Sequence, residues 1–506
     1  MSFLRLKQSI TCYIFIILFS SFAHAQDVEA PYDLEIIQPR AGLDVNNRFY
    51  KAYPGLVYEV RAAVIGGRYP YEYALETAPE GMTINAKTGE ITWPSPVAKS
   101  TAYPVSLAVK DSAGNSQKVS WSVLVTTDKF LFVDPAKGKR GASGTINDPV
   151  QGFYDVYGGN NYDAKYATKL QGYFVYFKSG NYSLDGYTGG TQGVQDTNRQ
   201  PLVWLAYPGH SPSIEMSKVA LRIIDTRADN FYLDGFEIHD IDTSASNEYR
   251  MGVRIGGASS NVTFRNNKFH TITSTQGSYN QSAIMISRDS SVQGRYWSFQ
   301  DNEFYNISGA YGILGYSAQK VLIEDNRFSN FTGNSHPIGP KTSTSYWFIR
   351  HNTIVDVDNY GIWLYYNDSN YGNMEVSYNY VAMSSGRALS VNESQNKSLP
   401  PSYIFRNTFI GDVEFHGVDG SVGPFYLSKN VIINNSAASG GYKCDNCSSS
   451  SRVIADNNFT GLSTLNIVNN VGNLTKEYSS FLGKRGWQVS DASPPRAPSN
   501  PVIKKD

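Results

Sequence analysis

The first part of the chain alternates apolar and polar residues in short runs. Val105, Leu107 and Val109 point one way in such a run, and Gly, Pro and Asn separate the runs about every ten residues. A period of two is typical of strands that bury one face. The pattern therefore predicts an antiparallel β-sandwich over residues 26–127.

From about residue 128 a longer repeat replaces this alternation. A short strand, an Asn and a second strand recur at intervals of 23–35 residues, without a helical period. The recurring positions are Asn267, Asn302, Asn326, Asn352, Asn379, Asn407, Asn430 and Asn457. Strand-rich repeats of this length stack as the coils of a solenoid. We predict an all-β fold with a parallel β-helix over residues 128–480, in which these Asn residues adopt the αL turn conformation and hydrogen-bond from coil to coil.

The two ends of the chain carry different signals. Arg5 and Lys7 precede an apolar stretch from Ile10 to Phe19, and an Ala-His-Ala site ends at Ala25. This arrangement is typical of a secretory signal peptide, and the apolar stretch is too short to span a bilayer. We predict that residues 1–25 are removed on export, that the mature protein is secreted or periplasmic, and that the Pro-rich tail over residues 481–506 is loose.

Composition narrows the functional classes. The 44 basic residues balance 44 acidic ones, which argues against nucleic-acid binding, and aromatic residues make up 13% of the chain. Many aromatic side chains fit a strand-rich protein that stacks against sugars. We predict a monomer that binds an acidic polysaccharide and neither nucleic acid nor, after cleavage, a membrane. Cys444 and Cys447 lie in a polar loop, where a local disulfide is predicted.

Three segments near the start of the mature chain resemble the Ig-like, cadherin-like modules of bacterial secreted proteins. These are residues 67–70 (Gly-Arg-Tyr-Pro), 78–84 (Ala-Pro-Glu-Gly-Met-Thr-Ile) and 88–93 (Thr-Gly-Glu-Ile-Thr-Trp). The resemblance implies an accessory module without catalytic residues. A spacer is the preferred interpretation, and weak sugar binding is the alternative.

The start of the repetitive part resembles the pectate-lyase-like superfamily. Residues 132–135 (Phe-Val-Asp-Pro) and 144–149 (Gly-Thr-Ile-Asn-Asp-Pro) look like its entry segment, and residues 173–182 and 205–209 look like its first two coils. The resemblance implies a right-handed parallel β-helix that acts on polysaccharides. It does not specify the reaction, since one fold hosts many functions.

When the coils are aligned on their recurring Asn residues, a second strand in each coil is aligned as well. This strand lies earlier in the sequence than the Asn. The fifth positions of these strands form a predicted outward column, Gly256, Ser287, Tyr316, Lys341, Tyr365 and Val391. The column makes Lys341, Tyr365 and Tyr316 catalytic candidates, together with His336 nearby. Arg387, Arg288, Arg254, Tyr360 and Trp363 are the substrate-binding candidates.

This cluster favours β-elimination from a uronic-acid polysaccharide. The reaction needs a base at C5, an acid for the glycosidic oxygen and positive charge near the carboxylate. A Lys packed between Tyr rings loses its proton more easily, and a Tyr hydroxyl can act as acid or base. His336 and Arg387 are expected to hold the substrate carboxylate.

Two other functional classes stay open. A glycoside hydrolase needs paired carboxylates, and the candidates are Glu324 and Asp325, Asp356 and Asp358, and Asp234 and Glu237. A non-catalytic polysaccharide-binding or adhesin solenoid is the second alternative.

The segment from Lys341 to Thr353 is faintly similar to the catalytic-Lys coil of alginate lyases and chondroitinases. Two features of that family are missing here. Residues 363–366 lack its Arg, and no Glu precedes Lys341 to complete its calcium site. We therefore predict no metal and no cofactor, with calcium as an unsupported alternative.

Overall fold

The computed structural model describes most of the chain between residues 32 and 460. The described residues are 32–43, 46–152, 156, 172–183, 194–196, 201–215, 222–242, 251–274, 281–287, 293–366, 372–393, 400–417, 424–433, 442–445, 453–456 and 459–460. The predicted signal peptide and tail, Arg288, Cys447 and Asn457 lie outside them. Within these ranges no helix is long and apolar enough to cross a membrane.

The N-terminal part is a β-sandwich, as predicted. Its strands are β1 (Glu35–Gln38), β2 (Lys51–Ala52), β3 (Tyr58–Arg61), β4 (Ala63–Ile65), β5 (Tyr71–Thr77), β6 (Thr83–Ile84), β7 (Glu90–Trp93), β8 (Tyr103–Asp111) and β9 (Ser116–Val125), with a 3-10 helix at Arg48–Tyr50. One sheet has the order β2-β9-β8-β5, a second has the order β3-β7-β6, and β1 pairs with β4. The alternating residues Val105, Leu107 and Val109 are buried in its core.

The rest of the described chain is a right-handed parallel β-helix. Its strands are β10 (Phe130–Val133), β11 (Phe174–Phe177), β12 (Gly180–Ser183), β13 (Val194–Asp196), β14 (Val203–Ala206), β15 (Pro212–Glu215), β16 (Arg222–Thr226), β17 (Tyr232–Asp234), β18 (Glu237–Asp242), β19 (Met251–Gly256), β20 (Val262–Arg265), β21 (Lys268–Thr273), β22 (Ser282–Ser287), β23 (Gly294–Gln300), β24 (Glu303–Ser308), β25 (Tyr311–Gly315), β26 (Ala318–Glu324), β27 (Arg327–Thr332), β28 (His336–Pro340), β29 (Ser345–Arg350), β30 (Thr353–Val357), β31 (Tyr360–Tyr366), β32 (Glu375–Ser377), β33 (Tyr380–Glu393), β34 (Ser402–Phe405), β35 (Thr408–His416), β36 (Phe425–Ser428), β37 (Val431–Ile433), β38 (Lys443–Asp445), β39 (Val453–Asp456) and β40 (Phe459–Thr460).

These strands form two long sheets around one core. The twelve-stranded sheet contains β10, β11, β14, β17, β20, β23, β26, β29, β32, β34, β36 and β39, and the other strands form the nineteen-stranded sheet. Each coil therefore contributes one strand to the twelve-stranded sheet. In one coil, for example, β26 belongs to this sheet, and the chain then continues through β27 and β28 of the nineteen-stranded sheet. Stacked rings fill the interior. The Phe304 centroid, for example, lies 5.1 Å from that of Phe269 and 4.7 Å from that of Phe328.

The predicted Asn ladder is confirmed between Asn267 and Asn430. In each step both the backbone N–H and the side-chain amide donate to the Oδ1 of the Asn on the next coil, as Asn326 does to Asn352 at 3.0 Å. The buried amides are therefore satisfied from coil to coil. The αL conformation belongs to the residue before each ladder Asn, such as Asp325 with φ 57°. The prediction that the ladder Asn itself takes that conformation is wrong, because its side chain is needed inside the stack.

The sandwich packs against the outer face of the twelve-stranded sheet. Its Ile37 and Ile65 pack on Leu322 and Phe348 of the β-helix. Gln38 reaches across the contact as well, and its side-chain amide donates to the backbone oxygen of Val262 at 3.1 Å.

Buried charges reinforce this contact. Arg61 of the sandwich pairs with Asp301 at 2.7 Å and with Glu324 at 3.4 Å, and it also pairs with Asp325. Arg350 of the β-helix donates to Glu324 at 2.7 Å, to the hydroxyl of Tyr71 and to the backbone of the sandwich. A spacer that held two bodies apart would not need such contacts. The sandwich is instead a docked part of the same molecule.

Candidate active site

The candidate site lies on the outer face of the nineteen-stranded sheet, along β25, β28, β31 and β33. Inward-facing Ile313, Ile338 and Ile362 pair with one another on consecutive coils and are fully buried. Because these side chains fix the register, the outward residues between them also stack in columns.

The predicted column around Lys341 is present for five of its six members. Gly256 pairs with Ser287, and Gly315 pairs with Pro340, which places Tyr316 beside Lys341. The prediction is wrong for the sixth member, Val391. Tyr365 pairs with Asn392, and Val391 pairs with Leu364. A register irregularity in β33 beside Arg387 shifts this strand by one residue. As a result Val391 faces the core, where an apolar side chain belongs.

Lys341 lies in an aromatic cage rather than on an open surface. Its Nζ is 4.8 Å from the ring centroids of both Tyr311 and Trp363 and 5.9 Å from that of Tyr365. The residue is only 7% exposed. Burial disfavours the charged ammonium and lowers the pKa of Lys341 from 10.5 to about 8. A substantial fraction of this amine is therefore neutral in mildly alkaline solution.

Tyr311, which the alignment of the coils did not single out, forms one wall of this cage. A Cβ on Gly339 would lie 2.9 Å from the Tyr311 ring, so the ring rests on the bare backbone of the next coil. Tyr311 pairs with His336 at the first position of its strand. Extending the aligned strands by one residue toward their N-termini would have revealed it.

His336 lies within a stack of rings. Its centroid is 4.6 Å from Tyr311, 4.7 Å from Tyr360 and 4.7 Å from Trp363. Burial, with a smaller contribution from the charge of Lys341, lowers the pKa of His336 to about 3. The imidazole is therefore neutral near pH 7. In this state His336 offers a substrate carboxylate an N–H donor in place of a positive charge.

The predicted arginines lie in different surroundings. The guanidinium of Arg387 lies 5.1 Å from the Tyr360 ring and pairs with the carboxylate of Glu414. Arg254 is half-buried on β19, in register with Met285 on β22, and is three coils away from β28. Arg288 is outside the described residues. Of these arginines, the structure therefore places Arg387 beside the aromatic cage.

The carboxylates considered for hydrolysis do not gather at this site. Glu324 and Asp325 belong to the contact with the sandwich on the other sheet. Asp234 lies in register with Arg265 on that same sheet. The Asn ladder meets this coil at Phe236, whose backbone N–H donates to the Oδ1 of Asn267.

The remaining carboxylates have structural surroundings of their own. Glu237 shares a hydrogen bond with the His270 ring at 2.8 Å. Asp358 accepts from the backbone of Gly333 at 3.1 Å, and Asp356 is exposed at an αL position. None of these three carboxylates belongs to the aromatic cage of Lys341.

Two further predictions concern metal and disulfide. Among the described residues no group of three or more His, Cys, Asp or Glu side chains is arranged to hold a metal ion. Cys444 is disulfide-bonded. Its predicted partner, Cys447, is outside the described residues.

Two family models match separate parts of the chain. Residues 48–126 match the model described as a putative Ig domain, and residues 251–411 match the model of a right-handed β-helix region. These matches agree with the sandwich and with the central coils, including those that hold Lys341. No curated protein matches the chain.

Several solved structures are similar to part of this chain. A GH136 lacto-N-biosidase from Eubacterium ramulus matches at 12% identity over 66% of this chain and 68% of its own, with a TM-score of 0.39. The pectate lyase Pel9A matches at 14% identity over 65% and 82%, with a TM-score of 0.34. A family 28 exopolygalacturonase from Yersinia enterocolitica matches at 9% identity over 86% and 100%, with a TM-score of 0.34.

Proposed function

We propose that this protein is a polysaccharide lyase that cleaves a uronic-acid polysaccharide by β-elimination, with Lys341 as the general base. The observation that carries the proposal is the aromatic cage, which buries an amine on an outer face of the solenoid. With a pKa of about 8, the Lys341 amine is a base near neutral pH.

The reaction assigns a task to each group of the cage. The neutral amine of Lys341 takes the C5 proton, and the substrate carboxylate spreads the resulting negative charge. The ammonium that forms stays close and stabilises that charge. The C4–O bond then breaks, a double bond forms between C4 and C5, and a tyrosine hydroxyl gives its proton to the leaving oxygen. Tyr365 and Tyr316 are the candidates for that acid.

Aromatic side chains supply the binding surface in this proposal. Trp363 lies beside Lys341, and the Tyr360 ring stacks on Trp363 with a centroid distance of 5.6 Å. Both residues are half-buried, so each keeps part of its surface toward solvent. Flat apolar rings are suited to packing against the faces of sugar rings. An extracellular or periplasmic site of action, after removal of residues 1–25, belongs to the same proposal.

The proposal is tested by product chemistry. The mature protein is incubated with alginate, polygalacturonate, glucuronan, ulvan and chondroitin, and ultraviolet absorbance and reducing ends are measured together. We expect both signals to rise in equal molar amounts, because each cleavage creates one reducing end and one absorbing double bond at the new non-reducing end. No water is consumed in this step.

Each alternative gives a different result. New reducing ends without absorbance would identify a hydrolase. Retention on immobilised polysaccharide without any cleavage would identify a binding protein. Either result contradicts the lyase assignment.

A further inference from the structure

Beyond the aromatic cage, the outer face of the nineteen-stranded sheet carries polar and charged side chains. On β33 and β35 the outward residues next in register to Tyr360 are Arg387 and Asp412. The outward residues next in register to Trp363 are Ser390 and Glu414. Adjacent strands lie about 4.8 Å apart, so this polar region begins one coil from the cage.

The charges of this region are matched within it. Arg387 pairs with Glu414, whose side chain is only 10% exposed. Lys443 on β38 pairs with Asp412 at 2.7 Å. Two cations therefore face two carboxylates, and the charges of these four side chains balance.

The cage itself is different in kind. The walls around Lys341 are the uncharged rings of Tyr311, Trp363 and Tyr365. A uronate whose C5 proton meets Lys341 therefore brings its carboxylate to these uncharged rings. The neighbouring sugar on the β33 side instead meets Glu414 together with Arg387.

A matched ion pair selects against a second charge. Sugar hydroxyls can donate to the carboxylate of Glu414 and accept from the guanidinium of Arg387 without disturbing the pair. A uronate carboxylate would have to compete with Glu414 for Arg387 and would face a like charge. Such a repulsive element is a common source of specificity.

We propose that the Arg387–Glu414 pair makes the enzyme prefer polymers in which a uronate alternates with a neutral sugar over polymers of uronates alone. This inference rests on the proposed function, since it assigns a neutral sugar to the position beside the one that reacts at Lys341. It changes the task of Arg387 from holding the substrate carboxylate to binding hydroxyl groups.

The first experiment compares polymers with the intact mature protein. Unsulfated chondroitin and the rhamnogalacturonan backbone alternate uronate with neutral sugar, whereas polygalacturonate, alginate and glucuronan are uronates only. We expect kcat/KM for formation of the unsaturated product to be at least about tenfold higher on an alternating polymer. Equal or faster elimination on the homopolymers overturns the inference and leaves the lyase assignment intact. Absence of unsaturated product from all five polymers overturns both.

The second experiment tests the residue pair directly. Glu414→Gln keeps the shape of the side chain and removes its charge, which frees Arg387 for a second carboxylate. We expect the ratio of kcat/KM on alternating polymer to that on homopolymer to fall about tenfold. Glu303→Gln, on β24 of the same sheet, is the matched control and should leave this ratio unchanged. An unchanged ratio in a Glu414→Gln protein with the wild-type melting temperature would show that the pair does not set the preference.

Discussion

The two outer faces of the β-helix both bury charged side chains, but the effect on the charge of those side chains is opposite. On the twelve-stranded sheet, Arg61 and Arg350 are enclosed together with Glu324. On the nineteen-stranded sheet, Lys341 is enclosed by aromatic rings. Burial alone disfavours a charge in both places. The neighbouring side chains decide whether the charge persists.

At the docking contact the charges of Glu324, Arg61 and Arg350 survive burial. Desolvation acts to raise the pKa of Glu324, but Arg350 and Arg61 outweigh it and lower that pKa below its ordinary value. Burial disfavours the charge of Arg61 as well, but Asp301, Asp325 and Glu324 outweigh this effect and raise the pKa of Arg61. Glu324, Arg61 and Arg350 therefore keep their charges near neutral pH, which suits a structural contact. Asp325 differs, because burial together with the neighbouring Glu324 and Asp301 raises its pKa to about 7.

In the aromatic cage burial is the main influence on the charge of Lys341. Ring faces attract a cation, but less strongly than a paired carboxylate does. The pKa of Lys341 therefore falls to about 8. A group that changes protonation near the working pH suits acid–base chemistry. The comparison shows that the partners of a buried charge, more than its burial, separate a structural site from a candidate catalytic one.

The largest expected effect comes from removing the caged amine. Lys341→Ala should lower the rate of unsaturated product formation by about 10²–10⁴-fold, because it removes the proposed general base. The free energy of unfolding should change by about 1 kcal/mol or less, since lost cation–π attraction and relieved desolvation have opposite signs. Both are measured, by initial rates and by urea unfolding.

Lys268→Ala is the control for this substitution. Lys268 lies on β21 of the same sheet and is half-buried outside the cage. Its removal should leave the rate unchanged. Wild-type activity in the Lys341→Ala protein would show that another group takes the proton.

The next largest effect concerns the docking contact. Arg61→Ala leaves Asp301, Glu324 and Asp325 with less positive charge in a buried place, which should destabilise the folded protein by about 3–5 kcal/mol. Denaturant unfolding measures this change. Lys118→Ala breaks the exposed pair with Glu76 and should have a far smaller effect, because solvent screens that pair. Equal effects of the two substitutions would mean that the buried network does not hold the sandwich in place.

The sequence revealed features that repeat from coil to coil. The ladder residues from Asn267 to Asn430 recur at intervals set by the coil length. Aligning the coils on these residues also aligns Lys341 with Tyr316 and Tyr365. The error at Val391 arose where β33 departs from that regularity. A periodic signal predicts neighbours only while the period holds.

Other features depend on contacts without any period. Arg61 and Glu324 are 263 positions apart, and nothing in the spacing of either residue indicates the other. Sequence alone therefore leaves Glu324 and Asp325 as hydrolase candidates, and the docked sandwich accounts for them instead. The pairing of Arg387 with Glu414 was hidden in the same way, because the alignment of the coils did not extend to β35.

The smallest expected effect tests the cage through pH. In the wild-type protein kcat/KM for elimination should rise with pH and level off above about 8, because only the neutral amine of Lys341 accepts a proton. Trp363→Ala opens one wall of the cage and lets water reach the ammonium. The pKa of Lys341 should then move back toward 10.5, and the rise in rate should shift upward by about one pH unit. Tyr346→Ala, an exposed aromatic residue at the twelve-stranded sheet, is the control and should leave the profile in place.

Stability gives a second readout of the same cage that does not depend on substrate. The pKa of Lys341 is lower in the folded protein than its ordinary value of 10.5. Between about pH 8 and 10.5 the unfolded chain therefore binds more protons at this site, so the contribution of Lys341 to the free energy of unfolding rises with pH. In the Trp363→Ala protein this pH range should begin at a higher pH, because the pKa of Lys341 in the folded protein moves up. A pH profile and a stability window that both stay unchanged would show that Trp363 does not control the protonation of Lys341.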